Sequence, residues 1–420
     1  MKKLLLSSLC FVVSNSFAQF SEFRNGLDSS QLKMFQPGNS GMQISGRVSA
    51  YYEYRVLKPG NTDLKHNGFT PKDCDIDFLG KTKQDFVYEI HLSPLDMISS
   101  AAIGNTVNLS SQNNTFASPS PTTPGFKAMY IAYEGNKLPF SIKLGYDKLP
   151  YSQGSMCDNY NTPFWSHPIL FGGDLFSRRD MGLTLYKSLW NQKINMYAGM
   201  YSGVGENFFE YGYDASARPE YVGRIDVSYP ARFKYTNIDE AMTPIPVFRL
   251  GINGRYTNKT QPAGYSLITD LPEALGPYNI SMVNGKKAIY GGDFIAKYKG
   301  ISFLFEIDII HATPVDPSDP LFEATTSSFN KGVVNAGGFY SGLNYNLEKI
   351  HSVFSVAYEN VNGNDLANGS EQWLYIAYAY KFNGFRSVFK IEYYKPLQED
   401  AVSDPLKYTD QFRLGYQIVF

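Results

Sequence analysis

The last stretch of the chain, residues 410–420, alternates apolar and polar side chains and stops on an aromatic residue. One strand face carries the apolar set Phe412, Leu414, Tyr416, Ile418 and Phe420. The other face carries the mostly polar set Gln411, Arg413, Gly415, Gln417 and Val419. In a soluble sheet such a strand would leave an exposed apolar edge. In a bilayer, lipid covers the apolar face, a lumen takes the polar face, and a first strand pairs with the edge.

The same period-two alternation recurs along the chain. Residues 42–56 place Val48 and Tyr54 on one face and Arg47 and Glu53 on the other. Comparable segments predict roughly sixteen strands, an even number within the range of bacterial single-chain barrels. The predicted strands cover residues 42–56, 75–81, 86–92, 126–135, 138–148, 179–188, 192–202, 219–230, 245–258, 286–298, 301–311, 335–347, 349–359, 371–382, 385–395 and 410–420.

The connections between these strands alternate between short and long. Short ones lie at 83–84, 299–300 and 383–384, whereas the long ones are rich in Pro, Ser, Asn, Asp and Gly. One connection, 230–244, is longer than its place in the alternation predicts. Short turns at one end and long loops at the other are typical of outer-membrane barrels. We therefore predict an all-β fold: a transmembrane antiparallel β-barrel over residues 41–420, with short periplasmic turns and long extracellular loops.

The amino-terminal residues 1–18 have the features of a secretory signal peptide. Lys2 and Lys3 precede an apolar run, and small residues precede a cleavage site before Gln19. The polar segment 19–40 is predicted to be a periplasmic lead-in. Export without a predicted membrane-spanning helix allows periplasm, medium or outer membrane, and the barrel pattern selects the outer membrane.

Composition and motifs narrow the function classes. The formal net charge is −1, so no bulk basic excess points to nucleic acid. Aromatic residues make up 15% of the chain although mean hydropathy is −0.28, which suits a barrel in which only alternate residues face lipid. The five histidines are scattered, and no nucleophile elbow, metalloprotease motif or phosphate-binding glycine loop is present. The sequence predicts no enzyme, no cofactor and no metal.

Two cysteines, Cys74 and Cys157, remain after the predicted cleavage. They are too few for a disulfide scaffold and have no metal-ligand spacing. Both lie near the outer ends of their segments in an oxidising compartment, which allows a bridge between them. Two separate thiols are the equal alternative, because sequence does not give the distance between their Cα atoms.

The period-two phase places many charged side chains in the lumen. Those that we predict to line the pore or bind solutes are Arg47, Arg178, Arg224, Arg249, Arg255, Asp158 and Asp174. Lumen charges of both signs with a mild basic excess would favour anions weakly. The alternative is cross-strand ion pairing within the wall, which would account for most of these charges without any solute.

The third long loop, residues 149–178, is predicted to fold into the barrel and narrow it. It is longer than most loops without secondary structure, and such loops are usually functional. Its apolar side chains, including Trp165 and Leu170, need a surface on which to pack, and the inner wall is nearest. Its two carboxylates would then face arginines across the lumen and create a transverse field.

Three stretches follow one another along the chain: 178–183 (RRDMGL), 197–203 (YAGMYSG) and 218–225 (RPEYVGRI). Together they resemble the phosphate-selective porin family, also called porin O/P. The resemblance implies a porin of about sixteen strands whose third outer loop folds inward. It also implies basic residues along the pore and that loop, whereas residues 149–177 contain no Lys or Arg.

The terminal pattern Arg413-x-Gly415-x-x-Ile418-x-Phe420 is similar to the signal by which outer-membrane barrels are assembled. The barrel-assembly machinery and outer-membrane lipid are therefore predicted partners, and a homotrimer is a candidate assembly. The predicted function is a porin, a passive diffusion channel for small hydrophilic solutes, with anions such as phosphate among them. The alternative is an outer-membrane receptor or adhesin that acts through its extracellular loops without an open pore.

Overall fold

A computed structural model of the protein describes residues 40–56, 67–95, 125–135, 137–172, 178–203, 205, 218–232, 235–259, 285–314, 334–362, 370–397 and 410–420. The predicted signal peptide lies outside these residues, as does the lead-in except for Ser40. Within the described residues no helix is both long enough and apolar enough to cross a membrane.

The described chain forms sixteen strands. They are β1 Gly41–Val56, β2 Gly68–Lys81, β3 Phe86–Leu92, β4 Phe126–Tyr133, β5 Ser141–Lys148, β6 Arg179–Leu189, β7 Ile194–Tyr201, β8 Glu220–Tyr229, β9 Val247–Lys259, β10 Gly285–Tyr298, β11 Ile301–Pro314, β12 Val334–Leu347, β13 Ser352–Asn362, β14 Ser370–Asn383, β15 Ser387–Pro396 and β16 Asp410–Val419. Two short helices, α1 Gln153–Met156 and α2 Ile169–Gly172, lie between β5 and β6.

The strands close into one antiparallel barrel. Each strand pairs with its neighbours in sequence, and β1 also pairs with β16, which confirms the predicted fold class. At this seam, Gly46 and Phe420 exchange two backbone hydrogen bonds of 2.9 Å. Closure leaves no sheet edge with unpaired backbone groups, which a bilayer would not tolerate.

Strand β2 is longer than its alternation predicts, because it begins at Gly68 rather than near residue 75. Pro71 lies in this extra part and supplies no N–H group to the ladder. The register against β1 shifts there, since Ser49 pairs with Asp73 but Ala50 pairs with Pro71. A bulge therefore accommodates the proline and keeps Asp73 in the lumen phase.

The two faces of the barrel wall differ as the alternation predicts. On β16 the apolar residues point outward, and Phe420 is 63% exposed, whereas Gln417 on the inward face is 1% exposed. The outward band of Ile, Leu, Val, Tyr and Phe suits contact with lipid tails. The inward side chains are buried against chain segments that lie inside the barrel, so the core of this protein is its lumen.

Candidate pore constriction

The loop between β5 and β6, residues 149–178 and here called loop 3, packs inside the barrel over its described part, 149–172 and Arg178. The side chains of Leu149, Tyr151 and Leu170 are fully buried. Phe164 meets Tyr375 of β14 edge to face with ring centroids 6.1 Å apart. These apolar residues bury surface that a water-exposed loop would leave wet, which holds loop 3 against the wall.

Aromatic contacts also tie loop 3 to the seam of the barrel. The Trp165 ring lies 5.4 Å from the ring of Tyr51 on β1, measured between centroids. The ammonium of Lys390 on β15 lies 5.1 Å from the Trp165 ring centroid, within the range of a cation–π contact. Loop 3 therefore extends from the end of β5 to strands β15 and β1, near the seam at which the barrel closes.

Carboxylates of the wall anchor the backbone of loop 3. The N–H of Gln153 donates to Asp293 at 3.3 Å, and the N–H of Gly154 donates to Glu306 at 2.8 Å. Farther along, the N–H of Trp165 donates to Glu392 at 3.1 Å. A backbone N–H group that is buried away from water needs a hydrogen-bond acceptor, so these contacts fix the course of the loop.

A fourth anchor is Glu359 on β13, whose two carboxylate oxygens accept from the N–H groups of Ile169 and Leu170 at 3.2 and 3.3 Å. The phase argument from sequence did not single out this glutamate. The signal was present, because Glu359 shares the inward face of β13 with Ser355 and Ala357. What the sequence does not contain is the pairing of that face with α2.

Two of the predicted arginines, Arg224 and Arg255, lie in the lumen with their guanidinium groups bound to carboxylates. Arg224 donates to both carboxylate oxygens of Asp293, at 2.6 and 3.0 Å, and to the carbonyl of Tyr151 at 2.9 Å. Arg255 donates to Glu220 at 2.5 Å. Both side chains are fully buried. The wall thus supplies a carboxylate for each of these two guanidinium groups, and contact of either arginine with a solute stays a prediction.

Arg178 and Arg249 are buried as well. Arg178 donates to the carbonyls of Ser155 and Cys157 at 3.2 and 3.0 Å, so it supports the base of loop 3. The guanidinium carbon of Arg249 lies 3.8 Å from the ring centroid of Tyr235. Contact of these two arginines with a solute stays a prediction.

Arg47 has a different environment, at the β1–β2 wall. It donates to Asp73 at 2.9 Å and to Asp75 at 2.5 Å, and its side chain keeps 12% of its exposure. Lys127 of β4 reaches the same pair, with its Nζ 2.9 Å from Asp75. The charged side chains here form a cross-strand network that is partly accessible to water.

The two loop carboxylates do not both face the arginines as expected. Asp158 forms an ion pair with Lys148, at the end of the adjoining strand β5, while Arg224 is already bound to Asp293. Burial opposes ionisation of Asp158, but Lys148 and, farther off, Arg178 outweigh it and lower the pKa of this carboxyl. Asp174 lies outside the described residues.

The two cysteines are not bridged. Cys157 lies inside the lumen, where its Sγ donates to the carbonyl of Tyr235 at 3.3 Å, and burial raises its thiol pKa to about 12. Cys74 alternates with the inward residues Asp73 and Asp75 and so takes the outward phase of β2. The barrel wall separates the two thiols, which decides between the two alternatives that the sequence left open.

A second segment enters the lumen from the opposite end: the connection between β8 and β9, residues 230–246 and here called turn 4. Its described residues are 230–232 and 235–246. Tyr235 packs with buried residues of β4, β6 and β7, and its hydroxyl donates to Asp226. Ile238 packs on the far side against Val353, Ala379, Phe385 and Val388, which belong to β13–β15 and their turn. Turn 4 therefore crosses the lumen.

Polar contacts hold turn 4 in place near the short turns of the barrel. The carbonyl of Asn237 accepts from Ser302 Oγ at 2.7 Å and from Asn344 Nδ2 at 3.2 Å. Asp239 accepts from the N–H of Gly300 at 2.8 Å. This anchoring explains the extra length that the sequence shows at 230–244: the connection is an inserted segment rather than a loose turn.

Loop 3 and turn 4 touch each other inside the barrel. Gln153 Nε2 donates to Asn237 Oδ1 at 3.0 Å, and the Cys157 thiol reaches the backbone of Tyr235. The two segments pack against residues of β4 to β15, and loop 3 also reaches Tyr51 of β1. The wall around Lys127 and His91 is less covered, since their side chains keep 20% and 24% of their exposure.

A closed sixteen-stranded antiparallel barrel with an apolar outer face, a polar lumen and a long loop packed inside has the architecture of outer-membrane porins. The protein is accordingly an outer-membrane β-barrel. No protein-family model matches the chain, and no curated protein matches its sequence.

Solved structures give the particular likeness. The chain is similar to an anion-selective porin from Comamonas acidovorans, with a TM-score of 0.54 and 10% identity over 91% of this chain and 100% of that one. It is also similar to OmpT, an outer membrane protein of Vibrio cholerae, with a TM-score of 0.51 and 9% identity over 91% of this chain and 98% of that one. At identities this low the likeness establishes the shared fold.

Proposed function

We propose that the protein is a porin through which small hydrophilic solutes diffuse, and that loop 3 sets its constriction. The observation that carries the proposal is the course of loop 3, which crosses a closed barrel on four carboxylate anchors while the β1–β4 wall stays partly wet. A fixed loop across a lumen determines how much cross-section is left for solutes.

The finer selectivity is also a proposal. The resemblance to phosphate-selective porins, and the anion-selective porin among the similar structures, favour anions such as phosphate. Against a strong preference stands the pairing of Arg47, Arg224 and Arg255 with wall carboxylates. We therefore propose weak selectivity, with phosphate as one of several permeant anions.

Single-channel recording tests both parts. The purified full-length protein should give discrete conductance steps in a planar bilayer, and the reversal potential in a salt gradient should be small. Adding phosphate to a chloride solution should leave the chloride current almost unchanged. A large anion-selective potential with block by phosphate would establish the stricter, phosphate-selective form instead.

Deletion of residues 159–171 tests the constriction. The shortened loop loses its anchors on Glu392 and Glu359, so the single-channel conductance should rise while the barrel still assembles. A deletion of the same length in another long loop, 265–277, is the control and should leave the conductance near that of the unaltered protein. An unchanged conductance in a correctly folded 159–171 deletion would show that loop 3 is not the constriction.

A surface receptor or adhesin is the second candidate, and one observation favours it. Loop 3 and turn 4 together cover much of the lumen wall, so that Arg224, Glu306 and Glu392 are almost completely buried. In that case neither the unaltered protein nor the 159–171 deletion would conduct, although both would be folded.

Two further predictions concern assembly. A homotrimer would be detected by light scattering of the purified protein in detergent. Recognition by the barrel-assembly machinery would be detected as poor membrane insertion after Phe420→Ala. The side chain of Phe420 is accessible for such recognition, since its ring faces outward at the end of β16.

A further inference from the structure

A mixed carboxylate and imidazole cluster lies on the wall formed by strands β2 and β3. It consists of Asp77, Glu89 and His91, each of which offers one ligand atom, and these atoms all lie within 4.8 Å of one another. We propose that this cluster is a binding site for a divalent transition-metal ion, with Zn²⁺ or Mn²⁺ as the class of ligand.

Strand pairing brings the three residues together. Asp77 of β2 is the direct antiparallel partner of His91 on β3, and Glu89 is the partner of Leu79, two residues along from Asp77. Residues two apart on one strand share a face, so all three side chains point into the lumen from a rigid part of the sheet. A site built on strands holds its ligands more precisely than one built on loops.

Two nearby cations of the wall bind carboxylates outside the cluster. Arg47 and Lys127 direct their charged groups to Asp73 and Asp75.

Asp75 provides the support that a metal-binding histidine needs. Its Oδ2 lies 3.5 Å from His91 Nε2, and its side chain is 3% exposed. A carboxylate beside the imidazole fixes the orientation of the ring and raises its basicity, an arrangement that recurs around metal-ligating histidines.

The donor set selects the ion. Two carboxylate oxygens with one imidazole nitrogen match the borderline character of Zn²⁺ and suit Mn²⁺, whereas Mg²⁺ and Ca²⁺ prefer oxygen alone. Three protein ligands leave at least one position for water, which is an open rather than a closed site. The three side chains are only partly buried, so an ion can enter from the lumen.

Titration calorimetry of the full-length protein in detergent, with ZnCl₂ as the probe and MgCl₂ for comparison, tests the site. We expect one Zn²⁺ per chain that is lost in the near-isosteric triple variant Asp77→Asn, Glu89→Gln and His91→Gln. The matched control is His311→Gln, because His311 is exposed on β11, outside the cluster, and bonds to Asn335. This control should bind Zn²⁺ as the unaltered protein does.

Single variants keep the test decisive if the triple variant fails to fold. Glu89→Gln and Asp75→Asn, each checked for native circular dichroism, should weaken Zn²⁺ binding at least about tenfold. Binding of one Zn²⁺ with unchanged affinity in folded Glu89→Gln, or no Zn²⁺ binding by the unaltered protein, would overturn the proposal. Calorimetry in detergent does not depend on conduction, so this result stands apart from that of the porin proposal.

Discussion

The two sides of the lumen use the same residue types for different purposes. On the side from β8 to β15, charged side chains such as Arg224, Asp293 and Glu306 are buried. Arg224 and Asp293 bind each other, and Asp293 and Glu306 bind the backbone of loop 3. On the side from β1 to β4, the side chains of Arg47 and Lys127 keep 12% and 20% of their exposure, although their partner Asp75 is buried. A charge in the lumen phase is therefore not by itself a solute site, because an inserted segment can turn it into an anchor.

The energetics of the two sides differ for the same reason. A buried guanidinium group that loses its carboxylate keeps the full cost of its desolvation. A partly wet group that loses one partner is compensated by water and by the remaining charges. The predictions that follow test this difference, beginning with the largest effect.

The largest contrast is between Arg224→Met and Arg47→Met. Arg224→Met leaves Asp293 buried without its cation and should lower the free energy of unfolding by about 3–5 kcal/mol. Arg47→Met should lower it by only about 1–2 kcal/mol, because Lys127 still forms ion pairs with Asp73 and Asp75. Urea unfolding in detergent micelles, followed by tryptophan fluorescence, measures both, and equal losses would remove the distinction between the two sides.

The next contrast lies within turn 4, between two isoleucines. Ile238 is 1% exposed and Ile245 is 51% exposed. Ile238→Ala should lower stability by about 2–4 kcal/mol and increase the single-channel conductance, because turn 4 loses its contact with β13–β15. Ile245→Ala should change the free energy of unfolding by less than about 0.5 kcal/mol and should not change the single-channel conductance. If both variants conduct like the unaltered protein, turn 4 does not limit the passage.

A smaller effect is expected on ion selectivity. If ions pass along the β1–β4 wall, Glu89→Gln should lower the cation-to-anion permeability ratio by roughly twofold, the size of a screened interaction of about 0.4 kcal/mol. Glu306→Gln, which alters a fully buried anchor, should shift the ratio less. Reversal potentials in a salt gradient, recorded without divalent metal, measure both variants. A larger shift for Glu306→Gln would place the passage on the other side.

The smallest effect concerns pH and the Asp158–Lys148 ion pair. Because the pKa of Asp158 is lowered in the folded protein, the pair contributes stability above the ordinary carboxyl pKa of about 4 and loses it as pH falls through the folded value. Asp158→Asn should therefore lower the free energy of unfolding by less than about 1 kcal/mol at pH 7. At a pH low enough to protonate the carboxyl group, the substitution should not change the free energy of unfolding. Unfolding curves at pH 7 and at progressively lower pH measure the difference, and a cost that is independent of pH would contradict it.

The sequence predicted the wall of this protein better than its contents. Period-two alternation is a local signal, so residues such as Gln417 and Phe420 could be assigned to a face from their neighbours alone. The pairing of Glu359 with α2, or of Ile238 with β13–β15, joins segments far apart in sequence and has no local signature. The only sequence signal of turn 4 was its unusual length. The cluster of Asp77, Glu89 and His91 had no sequence signal, because its ligands come together only after β2 pairs with β3.

The hydrogen bonds between Gly46 and Phe420 have a consequence for the order in which the molecule is made. A ribosome emits the first strand long before the last, and Arg413 and Glu53, which lie 2.6 Å apart in the finished barrel, are separated by 360 residues of chain. The entropy of closing so large a ring rises only with the logarithm of its length. The greater risk arises before β16 has been synthesised, because the edge of β1 is then unpaired and can bind any other extended segment. We therefore expect that the growing chain needs a chaperone that binds β1 until residue 420 has been synthesised.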